Sequence, residues 1–238
     1  MSLKINIESV NERIEKAAAR SGRAAKDVML VAATKLQPVE KLLEARDLGL
    51  KVFGENKVQE LVDKYPFIEG VRWHFIGHLQ KNKVKYIIDK VDMIHSVDSL
   101  ELAEEIDKRA ARIGRVMPVL IQVNIGREES KSGIMEEQLD DLCEQLDRLK
   151  NINVQGLMAI PPAENCPGEA REYFKKMKKL YDRVSGMNYQ GFDIKYLSMG
   201  MTGDFEEAIE EGASIVRVGT GIFGKRNYAG RKNDVKEL

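Results

Sequence analysis

One lysine in this chain stands where an amine could do covalent chemistry. Lys35 closes the apolar run VMLVAATK (28–35), and Pro38 opens a helical pattern just beyond it. A lysine at the end of a buried strand packs its stem among apolar neighbours and loses part of its hydration, which lowers its pKa. The neutral amine is the form that attacks a carbonyl to make a Schiff base. A lysine that merely extends past the strand end into solvent fits the same position equally well.

A second feature is IVRVGTGIFG, in which Gly219, Gly221 and Gly224 take a G-x-G-x-x-G spacing. Only the 14 residues 225–238 follow it, too few for the helix and further strand of a dinucleotide-binding unit. After the last strand of a barrel, the same turn offers backbone N–H groups that commonly hold a phosphate. Ser198 and Thr220 would add hydroxyl donors. A glycine-rich turn that only closes the fold is the simpler reading.

Arg217 lies two residues before that turn, inside an apolar strand pattern, where its charge needs a partner. One reading pairs it with a carboxylate. Another sets it against the pyridine nitrogen of pyridoxal 5′-phosphate (PLP), where a second positive charge would be disfavoured and the ring left a weak electron sink. His74 and His78 are four apart in a strand-like segment with no third ligand, so no metal site is expected. His78, at a strand end, could hydrogen-bond a ligand; His74 and His95 read as structural. The two cysteines cannot make a disulfide framework. Cys143 falls on a helical apolar stripe, and Cys166 is a single loop thiol.

Positioning these residues requires a scaffold, and the chain shows one. Short runs apolar on both faces recur at 28–35, 51–56, 73–78, 93–98, 118–124, 154–160, 195–201 and 214–220, as parallel strands covered by helices do. Helical patterns separate them. Pro38 begins one at its first position and Gly49 ends it; Ser99 caps SLELAEEIDKRAARIG; Thr202 caps GDFEEAIEEGA. Eight strands alternating with helices predict an α/β fold, a single (β/α)₈ TIM barrel over residues 1–238. Residues 1–22 form an extra N-terminal helix covering one end, and 225–238 form a polar tail. In such a barrel the C-terminal strand ends share one mouth. Those ends are Lys35, Asn56, His78, Ser96, Asn124, Met158, Ser198 with Met199, and Arg217 with Gly219 and Thr220. The Pro/Gly-rich PPAENCPGE (161–169) is a candidate lid.

Lys+Arg and Asp+Glu both number 38, so no general attraction to nucleic acid or an anionic membrane is expected. No signal peptide or membrane span is indicated, and a cytoplasmic protein is the default.

Taken in order, VAATK, VFGENKVQE, WHFIGHLQKNK, IHSVDS, VLIQVN, GLMAI, LSMGMTGDFEEAI and VRVGTGIFG resemble the pyridoxal phosphate homeostasis protein family, from Val31 to Gly224. The resemblance implies a barrel like the N-terminal domain of alanine racemase, with PLP as a Schiff base on Lys35. It implies phosphate contacts from Ser198, Gly219 and Thr220, with Met199 beside them, ring contact from Arg217, and Asn56 in the pocket. The implied role is intracellular PLP binding and supply without established catalysis, with PLP-dependent apo-enzymes as recipients and a monomer or weak homodimer as the working form. Three alternatives stand beside it: an amino-acid racemase, for which the second domain carrying the opposing acid–base finds no room, a class I aldolase-like barrel using Lys35 for a substrate Schiff base, and a partner-binding scaffold in which PLP acts as a ligand signal.

Overall fold

The computed structural model describes residues 2–162 and 168–224. Eight parallel strands pair in chain order, and the eighth returns to the first, closing a barrel. They are β1 (Met29–Ala33), β2 (Val52–Glu55), β3 (Arg72–Phe75), β4 (Met93–Val97), β5 (Met117–Val123), β6 (Ile152–Ala159), β7 (Phe192–Ser198) and β8 (Ile215–Val218). All eight apolar runs are strands. Their ends are shorter than the runs suggest. After Ala33 the last ladder-like bond is Thr34 N–H to the Gly54 carbonyl (2.9 Å), and Leu36, at φ 64°, then turns the chain away. Lys35 therefore sits in a turn beyond the strand, and Thr220 opens a short helix.

Helices α1 (Leu3–Arg20), α2 (Val39–Asp47), α3 (Val58–Lys64), α4 (Leu100–Arg112), α5 (Leu139–Leu146), α6 (Glu169–Ser185), α7 (Phe205–Glu210) and α8 (Thr220–Phe223) cover the strands. Between β3 and β4 the crossing is made by a 3₁₀ segment, Lys81–Tyr86. Ser99 caps α4 as expected, its Oγ accepting the Leu102 N–H at 3.3 Å. Two expected starts move. Pro38 is the residue before the first turn of α2, because its ψ of 158° is extended and only its φ is helical. Thr202 does not cap α7; Asp204 holds that position, while the Thr202 hydroxyl accepts the Gly221 N–H at 3.1 Å. The stripe Leu3, Ile7, Val10, Ile14 of α1 is buried, and the helix packs beside α7 and α8. It is tied there by Asn6 Nδ2 to the Ile222 carbonyl (2.9 Å) and by the Arg13–Glu206 pair. Rather than only covering an end, it fills the helical layer beside α8, which has just four residues.

Two apolar regions hold the molecule together. The larger lies between strands and helices and includes Phe53, Trp73, Phe75, Phe174 and Phe205. Full burial of each such side chain contributes roughly 1.5–3 kcal/mol. The smaller fills the barrel itself with Val31, Val52, Ile76, Met93, Leu120, Met158 and Ile215. Strand residues alternate between the two, so Val52 faces in where Phe53 faces out. Residues 163–167, with Cys166 and most of the expected lid, and the tail 225–238 lie outside the described residues. Among the described residues no helix is long and apolar enough to cross a membrane.

Candidate functional site

Met29, Val31 and Ala33 line the barrel interior from β1, and the two-residue alternation carries Lys35 to the same side at the mouth. There Lys35 shares a small cavity with Ala33, Gln37, Gly219, Thr220 and Gly224. A Cβ on Gly219 would stand 3.3 Å from the Ala33 carbonyl oxygen and 3.4 Å from the Ala33 Cβ, a tight contact with one wall of that cavity. Thr220 heads α8, so its N–H has no intrahelical partner. The lysine and the glycine turn, separated by most of the sequence, thus meet because β8 pairs with β1, Val31 opposite Arg217.

Buried below this cavity is Arg217, 4% exposed. Its Nη1 donates to Ser198 Oγ at 2.6 Å and its Nη2 to the Ala159 carbonyl at 2.9 Å. Ser198 Oγ lies 3.1 Å from His95 Nδ1, and His95 Nε2 lies 2.9 Å from His74 Nδ1. Arginine can only donate, so Ser198 Oγ accepts from Arg217; the same oxygen and the two imidazoles continue the hydrogen-bonded chain to His95 and His74. Both imidazoles are neutral. Burial first, then the charges of His74 and Arg217, hold His95 far below its usual value, and burial with Arg72 takes His74 to about 3. Burial also lowers Arg217, to about 10, against the opposing pull of Asp204. The hydrogen bonds that hold this guanidinium run to a hydroxyl and a carbonyl, not to the carboxylate that one reading of the sequence supplied. Ser198 places its hydroxyl in this chain, and Met199 beside it is fully buried.

On the other flank of Lys35 is a charged cluster that sequence reasoning missed. Lys64 Nζ, from the end of α3, lies 2.6 Å from Glu55 Oε1, 3.0 Å from Glu60 Oε2 and 2.9 Å from the Thr34 carbonyl. Thr34 Oγ1 donates to Glu55 Oε1 at 2.6 Å, and the Leu36 N–H donates to Glu60 Oε2 at 2.6 Å. Glu55 is fully buried, and its pKa is raised because burial outweighs the pull of Lys64. A carboxylate in the otherwise apolar VFGE was the available signal, since such a charge requires a partner.

Asn56 and His78 come together in a separate groove, with Lys57, Gln80, Lys83 and Tyr86. His78 is largely exposed and leans to Ser132 Oγ (3.0 Å) and Asp98 (3.5 Å). Asn56 Oδ1 is buried with no hydrogen-bond partner among the described residues, and the Asn56 N–H reaches Glu55 Oε2 at 3.2 Å. Asn124 organises its own loop, donating to the Glu128 carbonyl at 2.9 Å, and Met158 belongs to the barrel filling.

Comparison with known proteins places this geometry. Residues 5–227 match the family model of the alanine racemase N-terminal domain. A pyridoxal phosphate homeostasis protein of Aquifex aeolicus is 47% identical over 224 residues, 93% of this chain and 97% of that one. The protein of that name from Escherichia coli K12 is 39% identical over 94% of this chain and 97% of its own. Among solved structures, PipY of Synechococcus elongatus with PLP bound superimposes with a TM-score of 0.81 at 30% identity, covering 94% of this chain and 100% of that one.

Proposed function

The chain belongs to the pyridoxal phosphate homeostasis protein family, built on the alanine racemase N-terminal domain, and from that premise we propose that it carries PLP on Lys35. The observation that carries the reading is the shared cavity of Lys35, Gly219 and Thr220 above a buried, charged Arg217.

The residues present fit the cofactor. Lys35 offers an amine beside the glycine turn of Gly219 and Thr220 in one cavity, and in the separate groove Asn56 Oδ1 is a buried acceptor without a partner among the described residues. PLP, when bound, supplies a reactive aldehyde, which Lys35 Nζ takes up as a C=N bond with loss of water. The backbone of Gly219 and Thr220 presents N–H groups to the phosphate. Arg217 uses two nitrogens below and keeps further N–H donors of its five for the ring nitrogen. With a pKa of about 10 it stays cationic at neutral pH, so a proton on that nitrogen is disfavoured and the ring draws electrons weakly. Ser198, His95 and His74 keep the guanidinium in place. These residues hold a reactive aldehyde without equipping it for turnover. We infer a non-enzymatic carrier in the cytoplasm, with PLP-dependent apo-enzymes as recipients and PLP as its ligand.

The test is to load the protein with PLP, remove the excess, and add an apo-enzyme that needs the cofactor. Recovery of that enzyme's activity, absent with Lys35→Ala, is expected. Turnover of free amino acids by the loaded protein, lost in Lys35→Ala, would replace the carrier by an enzyme.

A further inference from the structure

We propose that Glu60 and Lys64 are positioning residues for Lys35: they clamp the two peptide groups on either side of it and so set the direction in which its amine is presented. The proposal rests on the carrier reading and extends it to residues that touch neither the cavity nor the glycine turn.

The geometry is specific. The peptide group before Lys35 is held through the Thr34 carbonyl by Lys64 Nζ at 2.9 Å. The peptide group after it is held through the Leu36 N–H by Glu60 Oε2 at 2.6 Å. The two holding groups are themselves paired at 3.0 Å, one helical turn apart on α3. Glu55 anchors the pair from β2 and reaches the Asn56 N–H with its other oxygen. With both planes fixed, the φ and ψ of Lys35 are fixed, and so is the line along which its Cβ leaves the backbone.

The clamp works against a local preference. Leu36 has φ 64°, a left-handed conformation that costs a non-glycine residue about 1 kcal/mol or more. An unclamped turn would drift back to a right-handed or extended form, swinging the Leu36 peptide and Lys35 with it. The charge-assisted bond from the Leu36 N–H opposes that drift. A misplacement of order 1 Å in a reacting group slows a reaction severely, so the rate of covalent loading is the sensitive readout.

The experiment follows visible absorbance after mixing PLP with wild type, Glu60→Leu and Glu60→Gln. Binding of pyridoxine 5′-phosphate, which has no aldehyde, is measured alongside. Leucine removes the acceptor for the Leu36 N–H, whereas the glutamine amide oxygen restores it. We expect covalent loading of Glu60→Leu to be slower by about tenfold or more, with Glu60→Gln returning most of the rate. The affinity for pyridoxine 5′-phosphate should stay within twofold of wild type in both, because the glycine turn is untouched. If Glu60→Leu does not fold, Glu60→Ser, too short to reach Leu36, carries the same expectation. Wild-type loading rates in Glu60→Leu, no recovery in Glu60→Gln, or a parallel loss of pyridoxine 5′-phosphate affinity would overturn the clamp while leaving the carrier reading standing. A wild type that takes up no PLP on Lys35 would instead remove the carrier reading itself.

Discussion

Two buried polar networks flank the mouth of this barrel, and they solve the same problem in different ways. On the β1–β2 side, Lys64 sits between Glu55 and Glu60, so charge is balanced by charge. On the β8 side, Arg217 is hydrogen-bonded to a hydroxyl and a carbonyl and is backed by two neutral imidazoles. The first network grips backbone and holds a turn. The second grips a side chain through neutral partners and leaves it spare donors. A guanidinium held by neutral groups keeps donors that a carboxylate would occupy, whereas the turn is held by a closed ionic cluster.

The sharpest way to break the contrast is to remove the central cation of the closed cluster. Lys64→Met leaves Glu55 buried without its partner and should cost about 3–5 kcal/mol in denaturant unfolding. The double variant Lys64→Met/Glu55→Met should recover part of that loss, since the fully buried carboxylate goes with its partner and Glu60, which is less buried, still accepts the Leu36 N–H.

Acid should separate the two sides by sign. His74 and His95 have folded-state pKa values below the ordinary 6.5, His74 near 3. Between those limits the unfolded chain binds more protons, so their contribution is complete above about pH 6.5 and is lost as pH falls toward 3. Glu55, with a raised pKa, acts in the opposite sense. Its contribution is complete below the unfolded carboxylate value and is lost as pH rises through the folded one. From pH 6.5 to 5 the unfolded histidines take up protons that the folded ones do not, two groups against the single opposing Glu55, so unfolding free energy should decline. The slope approaches about 1.4 kcal/mol per pH unit for each histidine that becomes fully protonated on unfolding. His74→Gln removes one titrating group and should flatten the decline; an unchanged slope would place the titration elsewhere.

The smallest effect should come from Ser198→Ala. It leaves Arg217 Nη1 and His95 Nδ1 without their shared hydroxyl, a loss of about 1–3 kcal/mol, together with weaker retention of PLP as the guanidinium loosens. A variant with native stability and native PLP retention would show that this hydroxyl does not hold the guanidinium in place.

The barrel was legible in the sequence because parallel strands buried on both faces leave continuous apolar runs, and all eight appear. Lys35, Arg217 and the glycine turn, which the pairing of β8 with β1 brings near one another, were singled out by strand-end position and by an arginine placed in an apolar strand. What escaped was pairing across the sequence. Lys64 ends VQELVDK and reads as a solvated helix-end lysine, and nothing local shows that its amine returns to the Thr34 carbonyl. Ser198 was expected as a phosphate donor from its strand-end position. That position does not reveal that its hydroxyl lies within hydrogen-bond reach of His95, far away in sequence. Strand ends also ran short of their apolar patterns, because Leu36 turns the chain where the pattern alone would extend it.

The most direct test is borohydride reduction of the PLP-loaded protein followed by peptide mapping, with Lys35→Ala in parallel. The account predicts a pyridoxyl group on the peptide containing Lys35 and none on that peptide in the variant. A protein that takes up no PLP, or one that carries the reduced adduct on a different lysine, would contradict it.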